Sequence, residues 1–309
     1  MDLVESKLKQ YLSQAQINGV VAIACSAGID SMVLIESCRK NYPNDQIFCF
    51  HLDHSLRKDS KRAADFLEAY CKKHNIKYIC KTLKAGEIKG CEQSARKARY
   101  QFFEDSCQDY NIKNILLGHN LNDQAETILF RIFRGTNTSG LQGIAQSRQH
   151  GSITIHRPLL ELSREIITQY AKTQGLDFVE DDSNNNLDFA RNRIRNNILP
   201  EALKINPKAL DNIAQLAQLT TLEQVYIKEG FIHAQSLLSE PAWKLEDFRK
   251  LKPIMQRKLL EQYFTPNIAF VNDFMAAIAQ GGFHRINFSK DKFFTIKQKE
   301  IHLELQLQI

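Results

Sequence analysis

Residues 20–31 read VVAIACSAGIDS and run directly into a second apolar segment, MVLI, at 32–35. An apolar run, a turn of small residues and another apolar segment predict a buried strand, a tight loop and a helix. Such a loop directs successive backbone N–H groups and the positive end of the helix dipole at one point. We therefore expect an anion such as phosphate to bind at this loop.

The side chains of the loop suit the same purpose. Ser26 and Ser31 offer hydroxyl donors, and Asp30 offers a carboxylate suited to a hard cation such as Mg²⁺. The loop lacks the Gly-Lys-Ser/Thr of the common P-loop. If the turn needs a positive φ at Ala27, alanine costs roughly 1–2 kcal/mol there. An ordinary strand-to-helix turn is the alternative interpretation.

The first two thirds of the chain alternate between strand and helix patterns. Further apolar runs lie at 47–52, 78–82 and 115–117, and helical periodicity lies at 30–40, 61–75 and 93–110. This alternation predicts an α/β fold with a doubly wound, mostly parallel sheet, whose ligands bind beyond the carboxyl ends of the strands.

The pattern changes after Pro200. Helical periodicity extends from 209 to 263, and short alternating strands follow at 285–288, 293–296 and 301–305. We expect a catalytic domain at 1–205 and a smaller, mainly helical domain at 206–309.

Composition limits the class of protein. The 309 residues are 43% hydrophobic and 25% charged with a net charge of +6, which is typical of a globular protein and permits a polyanionic partner. The seven cysteines include no Cys-x-x-Cys pair, which favours reduced thiols and a cytoplasmic location. No apolar stretch approaches the roughly 20 residues of a membrane span, and residues 1–8 predict an amphipathic helix rather than a signal peptide. The sequence leaves the oligomeric state open, and a homodimer is one of the states that it allows.

Polar residues follow two of the predicted strands. The second strand ends with His51, and His54 and Arg57 come soon after. Because the two histidines are placed on opposite faces of a strand and no further ligand cluster is near, zinc is disfavoured. A ligand-edge role and an ordinary surface role both remain open for these residues.

The fourth strand ends at Gly118 and His119, and the helix after it begins with acidic residues. We expect Asn122 to cap this helix. Asp123 and Glu126, three residues apart, share one helix face. They can bind Mg²⁺, hold a substrate ammonium group or accept a proton, although acids in a first turn also simply balance the helix dipole.

Arginines recur along the chain. Arg96 and Arg99 share a helix face beside Tyr100, a spacing suited to phosphate groups, although a solvated basic face is the commoner explanation. Further on, Arg191, Arg193 and Arg195 cannot all share one face, so they spread around their element and suit a phosphate chain. The remaining basic motifs are Arg131, Arg134 and the string Arg157-Pro158-Leu159-Leu160.

In this order, the motifs resemble the tRNA(Ile)-lysidine synthases of the PP-loop ATP pyrophosphatase superfamily. The resemblance extends from about residue 20 to 200 and rests on the loop at 26–31, His51-x-x-His54-Ser55-Leu56-Arg57, Ala95-Arg96-x-x-Arg99-Tyr100, Gly118-His119-x-x-x-Asp123-Gln124-x-Glu126-Thr127, Arg157-Pro158-Leu159-Leu160 and residues 180–195. Two positions depart from the family pattern: Ala27 replaces a glycine, and Asn122 replaces an aspartate. The longer members carry a third, C-terminal domain, which we do not expect in this chain.

The resemblance implies an adenine nucleotide alpha hydrolase-like fold and a ligase that uses ATP and Mg²⁺. The reaction joins free L-lysine to C2 of the wobble cytidine in the CAU anticodon of tRNA(Ile), through an adenylated cytidine. The implied ATP-binding residues are Ser26, Ala27, Gly28, Ile29, Asp30, Ser31, His51, Arg96, Gly118 and His119. The implied catalytic residues are Asp30 (with Mg²⁺), Arg96, His119, Asp123 and Glu126, and the implied tRNA-binding residues are Arg99, Arg134, Arg191, Arg193 and Arg195.

Two rival functions remain. A tRNA sulfur transferase of the same superfamily is disfavoured because such enzymes tend to carry Cys-x-x-Cys, which is absent from this sequence. A nucleotide-binding or tRNA-binding module without catalysis is supported only by Ala27.

Overall fold

The structure, a computed structural model, describes residues 2–53, 60–83, 92–179, 190–236, 242–261, 268–280, 284–287, 292–297 and 300–305. The chain divides into two compact units. The first comprises Met1–Thr136 and Gly140–Ala217, and the second comprises Asn137–Ser139 and Gln218–Ile309.

A six-stranded sheet forms the centre of the first unit. Its strands are β1 (Val21–Ala24), β2 (Ile47–Asp53), β3 (Lys77–Thr82), β4 (Asn114–Leu117), β5 (Ser147–His150) and β6 (Ile153–His156), in the order β3-β2-β1-β4-β6-β5. All neighbouring pairs are parallel except β5 and β6, which are antiparallel. The mostly parallel sheet predicted from the sequence is therefore confirmed, and an antiparallel edge strand is added to it.

Helices cover both faces of this sheet, as a doubly wound fold requires. They are α1 (Leu3–Gln14), α2 (Ile29–Arg39), α3 (Ser60–Lys73), α4 (Glu92–Asp109), α5 (Leu121–Phe133) and α6 (Arg164–Thr173). Successive residues of one strand point to opposite faces. Thus Ile23 and Cys49 pack in the cluster with residues of α1, α2, α3 and α6, whereas Ala22 and Phe48 pack in the cluster with residues of α4.

A separate group of helical segments packs on α5. It consists of α7 (Ala190–Arg193), a π-helical turn (Ile194–Ile198), α8 (Leu199–Ile205) and the start of α9 (Ala209–Ser236). Leu121 and Ala125 of α5 form an apolar cluster with Ile194, Leu199 and Leu210. This packing fixes the arginines of residues 191–195 beside α5.

The second unit combines helices with a small antiparallel sheet. Its further helices are α10 (Leu245–Lys250), α11 (Pro253–Glu261) and α12 (Ile268–Gln280), and its strands are β7 (Ala242–Lys244), β8 (His284–Asn287), β9 (Lys292–Lys297) and β10 (Glu300–Leu305), in the order β7-β10-β9-β8. Trp243, Phe248 and Phe274 lie in its core. Strands β8 to β10 lie where the sequence pattern predicts them, and the domain boundary near residue 206 stays a prediction.

Two further expectations concern the chain as a whole. The six cysteines in the described residues are all free thiols. Among the helices that the structure describes, none is both long and apolar enough to cross a bilayer.

Candidate functional site

The loop between β1 and α2 holds a non-glycine residue, Ala27, in the left-handed backbone region. Ala27 is fully buried and has φ +65°, and Gly28 is the N-cap of α2. The Ser31 hydroxyl donates to the Gly28 carbonyl (2.8 Å) and accepts from the Ser26 N–H (3.2 Å), while the Val179 N–H donates to the Ala27 carbonyl (3.0 Å). Because the first N–H groups of a helix have no partners within it, those of α2 are directed at this turn, as an anion site requires.

The end of β4 lies directly against the first turn of α2. A Cβ on Gly118 would lie 3.0 Å from the Asp30 carbonyl oxygen and 3.2 Å from the Ser31 nitrogen, so only glycine fits without displacing backbone. Two residues later, the Asn120 side-chain amide donates to Asp30 Oδ1 (2.9 Å). The two motifs that follow β1 and β4 therefore meet, because those strands are neighbours in the sheet.

The N-cap of α5 is Asn120, not Asn122 as predicted from the sequence. Asn120 is extended (φ −122°), its Oδ1 accepts from the Asp123 N–H (3.1 Å), and Asp123 Oδ2 accepts from the Asn120 N–H (3.0 Å). The helix begins two residues earlier than expected because this reciprocal capping box satisfies both backbone donors. Asn122 instead accepts, through Oδ1, from the Arg164 N–H (2.9 Å).

Asp123 and Glu126 lie on one face of α5 and share a guanidinium partner. Arg195 donates from Nε to Glu126 Oε1 (2.6 Å) and from Nη2 to Glu126 Oε2 (3.0 Å). It also lies 3.3 Å from Asp123 Oδ1. In the structure Arg195 is paired with two acids, one of which, Glu126, is almost fully buried, and its predicted contact with tRNA stays a prediction.

Protonation in this group is shifted by its surroundings. Burial raises the pKa of Asp123 to about 6; the Asn120 N–H opposes the rise, and the charges of Glu126 and Asp30 add to it. Burial disfavours the charge on Arg195, but its hydrogen bond to Glu126 and the nearby acids raise its pKa overall. Asp123 is thus a carboxylate that titrates close to neutral pH, beside a permanent cation.

Asp30 has a second partner that sequence reasoning missed. One carboxylate oxygen accepts from Asn120, and the other is ion-paired with Arg164 in the first turn of α6. A basic residue at a helix N-terminus opposes the helix dipole. That mismatch was the available signal that Arg164 has an acidic partner elsewhere.

The described residues fit only a metal site in which the protein supplies few of the ligands. No group of three or more His, Cys, Asp or Glu side chains in the described part of the chain is arranged to hold a metal ion. A cation at Asp30 would therefore have at most two such ligands from the described residues and take the others from phosphate and water. Mg²⁺ is commonly bound in this way.

Two histidines lie near the carboxyl ends of the strands, His51 buried and His119 half-buried. His51 Nδ1 lies 2.8 Å from the Cys25 carbonyl oxygen and donates to it, and neither His51 Nε2 nor His119 Nδ1 has a hydrogen-bond partner among the described residues. Burial, together with the charges of Arg157, Arg99 and other arginines, lowers the pKa of His119 to about 3. His119 is therefore neutral at physiological pH. His54 and Arg57 lie outside the described residues.

The arginines predicted to bind RNA differ in their exposure and in their contacts. The guanidinium groups of Arg134 and Arg191 lie 5.3 Å and 5.6 Å from the ring centre of Phe130, and Arg193 is exposed. Arg191 and Arg195 both lie against α5, at Phe130 and at Glu126, whereas Arg193 is exposed. Residues 180–189, which carry part of the predicted motif, lie outside the described residues.

Comparisons with known proteins identify the family. The family described as PP-loop domain matches residues 1–202. A tRNA(Ile)-lysidine synthase from Haemophilus ducreyi is 33% identical over 261 residues, which cover 82% of this chain and 60% of the relative. One from Enterococcus faecalis is 32% identical over 257 residues, which cover 81% and 56%. The chain thus spans somewhat more than half the length of these curated relatives.

A solved structure shares the fold. The U34-tRNA thiolase NcsA from Methanococcus maripaludis superposes with a TM-score of 0.60 at 15% identity, covering 71% of this chain and 78% of that one. At this identity the likeness concerns the fold alone.

Proposed function

Because the chain belongs to the PP-loop domain family, we propose that it uses ATP to ligate free L-lysine to C2 of the wobble cytidine in the CAU anticodon of tRNA(Ile). The product is lysidine, and AMP and pyrophosphate are released. The observation that carries this proposal is the hydrogen bond from Asn120 to Asp30. It joins the loop at 26–31 to the group formed by Asp123, Glu126 and Arg195, which we call the acid–arginine group. The names of the curated relatives support it.

The first step would occur at the loop. The O2 atom of cytidine attacks the α-phosphorus of ATP, an O–P bond forms, and the bond between the α-phosphorus and the bridging oxygen breaks. Negative charge then develops on pyrophosphate, which the N–H groups at the start of α2 and the hydroxyls of Ser26 and Ser31 would stabilise. Mg²⁺ at Asp30 would supply further charge neutralisation. Arg96, His51, Gly118 and the neutral His119 would line the nucleotide site.

The wobble base can reach this site at low cost. An anticodon nucleotide is unpaired, so it can be splayed into a pocket without disrupting a duplex. Arg99, Arg134, Arg191 and Arg193 would contact the RNA backbone, which makes binding depend strongly on salt.

The second step would use the acid–arginine group. Lysine carries both ammonium and carboxylate groups, and Asp123, Glu126 and Arg195 offer partners of both signs within one cluster. The lysine ε-amine attacks C2, its C–N bond forms, and the C2–O bond to AMP breaks. Asp123 is suited to accept the amine proton because its pKa of about 6 lies close to neutral.

Incorporation of radiolabelled lysine into tRNA(Ile) carrying CAU, with and without ATP, tests the proposal. We expect ATP-dependent incorporation, its loss in Asp30→Ala, and mainly weakened tRNA binding in Arg193→Ala. Asp45→Ala is the matched control. Asp45 is exposed and precedes β2, so it lies at the amino ends of the strands, away from the site. Lysine-independent thiolation of the tRNA, or ATP binding without pyrophosphate release, would contradict the proposal. The cytoplasmic location and the homodimer stay predictions.

A further inference from the structure

A group of basic side chains surrounds Tyr100 in the first unit. The guanidinium carbons of Arg96 and Arg148 lie 4.9 Å and 4.8 Å from the centre of its ring. Arg96 Nη2 also donates to the tyrosine hydroxyl (3.1 Å). With Arg157, described next, we call these residues the tyrosine–arginine cluster.

Arg157 is the buried member of the cluster. It is 2% exposed, its Nη1 donates to the Ala145 carbonyl (2.7 Å), and it interacts electrostatically with Tyr100. Its Nε is buried without a hydrogen-bond partner among the described residues. Burying a guanidinium with an unused donor is unfavourable unless a compensating group is bound.

The cluster has no acidic counterpart in the part of the chain that the structure covers. No described carboxylate forms an ion pair with Arg96, Arg148 or Arg157. Three guanidinium groups in this cluster therefore concentrate positive charge that no described carboxylate compensates by an ion pair. An external anion is the natural complement.

The cluster lies near the carboxyl end of β6, and ligands of open α/β sheets bind beyond the carboxyl ends of the strands. Arg157 directly follows β6, His119 follows the neighbouring strand β4, and both strands run in the same direction. Arg148 lies on the antiparallel edge strand β5, opposite Ile155 near the end of β6. The cluster therefore lies on the β6 side of His119, whereas the loop at 26–31 lies on the β1 side.

We propose that Tyr100, Arg148 and Arg157 form a phosphate-binding site that holds a backbone phosphodiester of the RNA beside the reacting nucleotide, with Arg96 shared between this site and the nucleotide site. The planar guanidinium fork matches phosphate oxygens, and the tyrosine hydroxyl adds another hydrogen-bonding group. Arg148 is exposed on an edge strand, so a polymer can reach it. The inference rests on the proposed function, in which the phosphates of ATP occupy the other loop.

Binding of a tRNA(Ile) transcript carrying CAU, measured over a salt series, tests the site. For Arg148→Ala we expect about tenfold weaker binding and a salt slope smaller by about 0.7–0.9, as for the loss of one phosphate contact. The KM for ATP should not change. Arg157→Lys keeps the charge but loses the fork, so it should weaken RNA binding while circular dichroism shows an intact fold.

Arg62→Ala is the matched control, because Arg62 is exposed on α3, which connects to the opposite edge strand β3. Equal affinity and salt slope for Arg148→Ala and Arg62→Ala would overturn the site. A higher KM for ATP with unchanged RNA affinity would overturn the assignment to RNA and place the nucleotide phosphates there. If the wild-type protein forms no lysidine but Arg148→Ala still binds RNA more weakly than the control, the proposed function fails and the phosphate site stands.

Discussion

Replacing Gly118 with alanine tests the contact between β4 and α2 directly. The added Cβ would meet three backbone atoms of the first turn of α2: the Asp30 carbonyl oxygen at 3.0 Å, its carbon at 3.1 Å and the Ser31 nitrogen at 3.2 Å. Ordinary van der Waals contact begins at 3.4 Å, so the strand end and the helix start must separate by a few tenths of an ångström. These atoms belong to the backbone and cannot rotate away.

Two effects follow from this separation. Overpacking of this kind costs about 1–3 kcal/mol, which should appear in the free energy of unfolding measured with urea. The separation also moves His119 and Asn120 relative to Asp30, and a misplacement of about 1 Å at a reacting centre can cost about 100-fold in rate. For the smaller shift expected here, tRNA-dependent pyrophosphate release at saturating ATP should slow by about tenfold.

Gly230→Ala is the matched control. Its Cβ would meet the terminal methyl of Met255 at 2.6 Å, a flexible side-chain end far along the sequence from the loop motifs. Alanine is also the better helix former by about 1 kcal/mol. We expect unchanged pyrophosphate release in this variant. Wild-type rate and wild-type stability in Gly118→Ala would show that the close approach of β4 to α2 does not constrain the site.

Three further predictions concern strain and protonation. Ala27→Gly should change the free energy of unfolding by less than about 1 kcal/mol. Relief of the positive φ (about 1–2 kcal/mol) offsets the loss of a buried methyl group and the greater entropy that glycine gives the unfolded chain. A loss of stability above about 2 kcal/mol in urea unfolding would argue against strain at this position. The rate of lysine transfer from pre-adenylated tRNA should rise with pH to a plateau, with a midpoint near pH 6, since Asp123 must lose its proton to act as a base. The Asp123→Asn variant should be slow and lack this midpoint. An unchanged pH profile in that variant would exclude Asp123 as the base. Burial lowers the pKa of His156 to about 4, below its value in the unfolded chain, so the stability that neutral His156 contributes above pH 6.5 is lost as the pH falls. Between pH 7 and 5 the free energy of unfolding of His156→Gln should therefore fall by about 2 kcal/mol less than that of the wild type. Equal losses in the two proteins would refute this.

The elements around the site were predictable because they depend on local sequence. Apolar runs and helical periodicity locate β1 to β4 and α2 to α4 within a few residues. Strand β5 could not be found in this way, because its residues Ser-Arg-Gln-His are polar and exposed. It forms as a strand because β6 supplies its hydrogen-bond partners.

Within the site, the sequence determined which residue types follow each strand, whereas the left-handed conformation of Ala27 is seen only in the structure. The tertiary structure decided the partners. Arg195 meets Glu126 across 69 residues of sequence, and Arg164 meets Asp30 across 134. Backbone periodicity acts over a few residues, whereas an ion pair depends on where distant elements pack. Strand order brings the loop of β1 beside the end of β4, and only that order makes their polar residues one site.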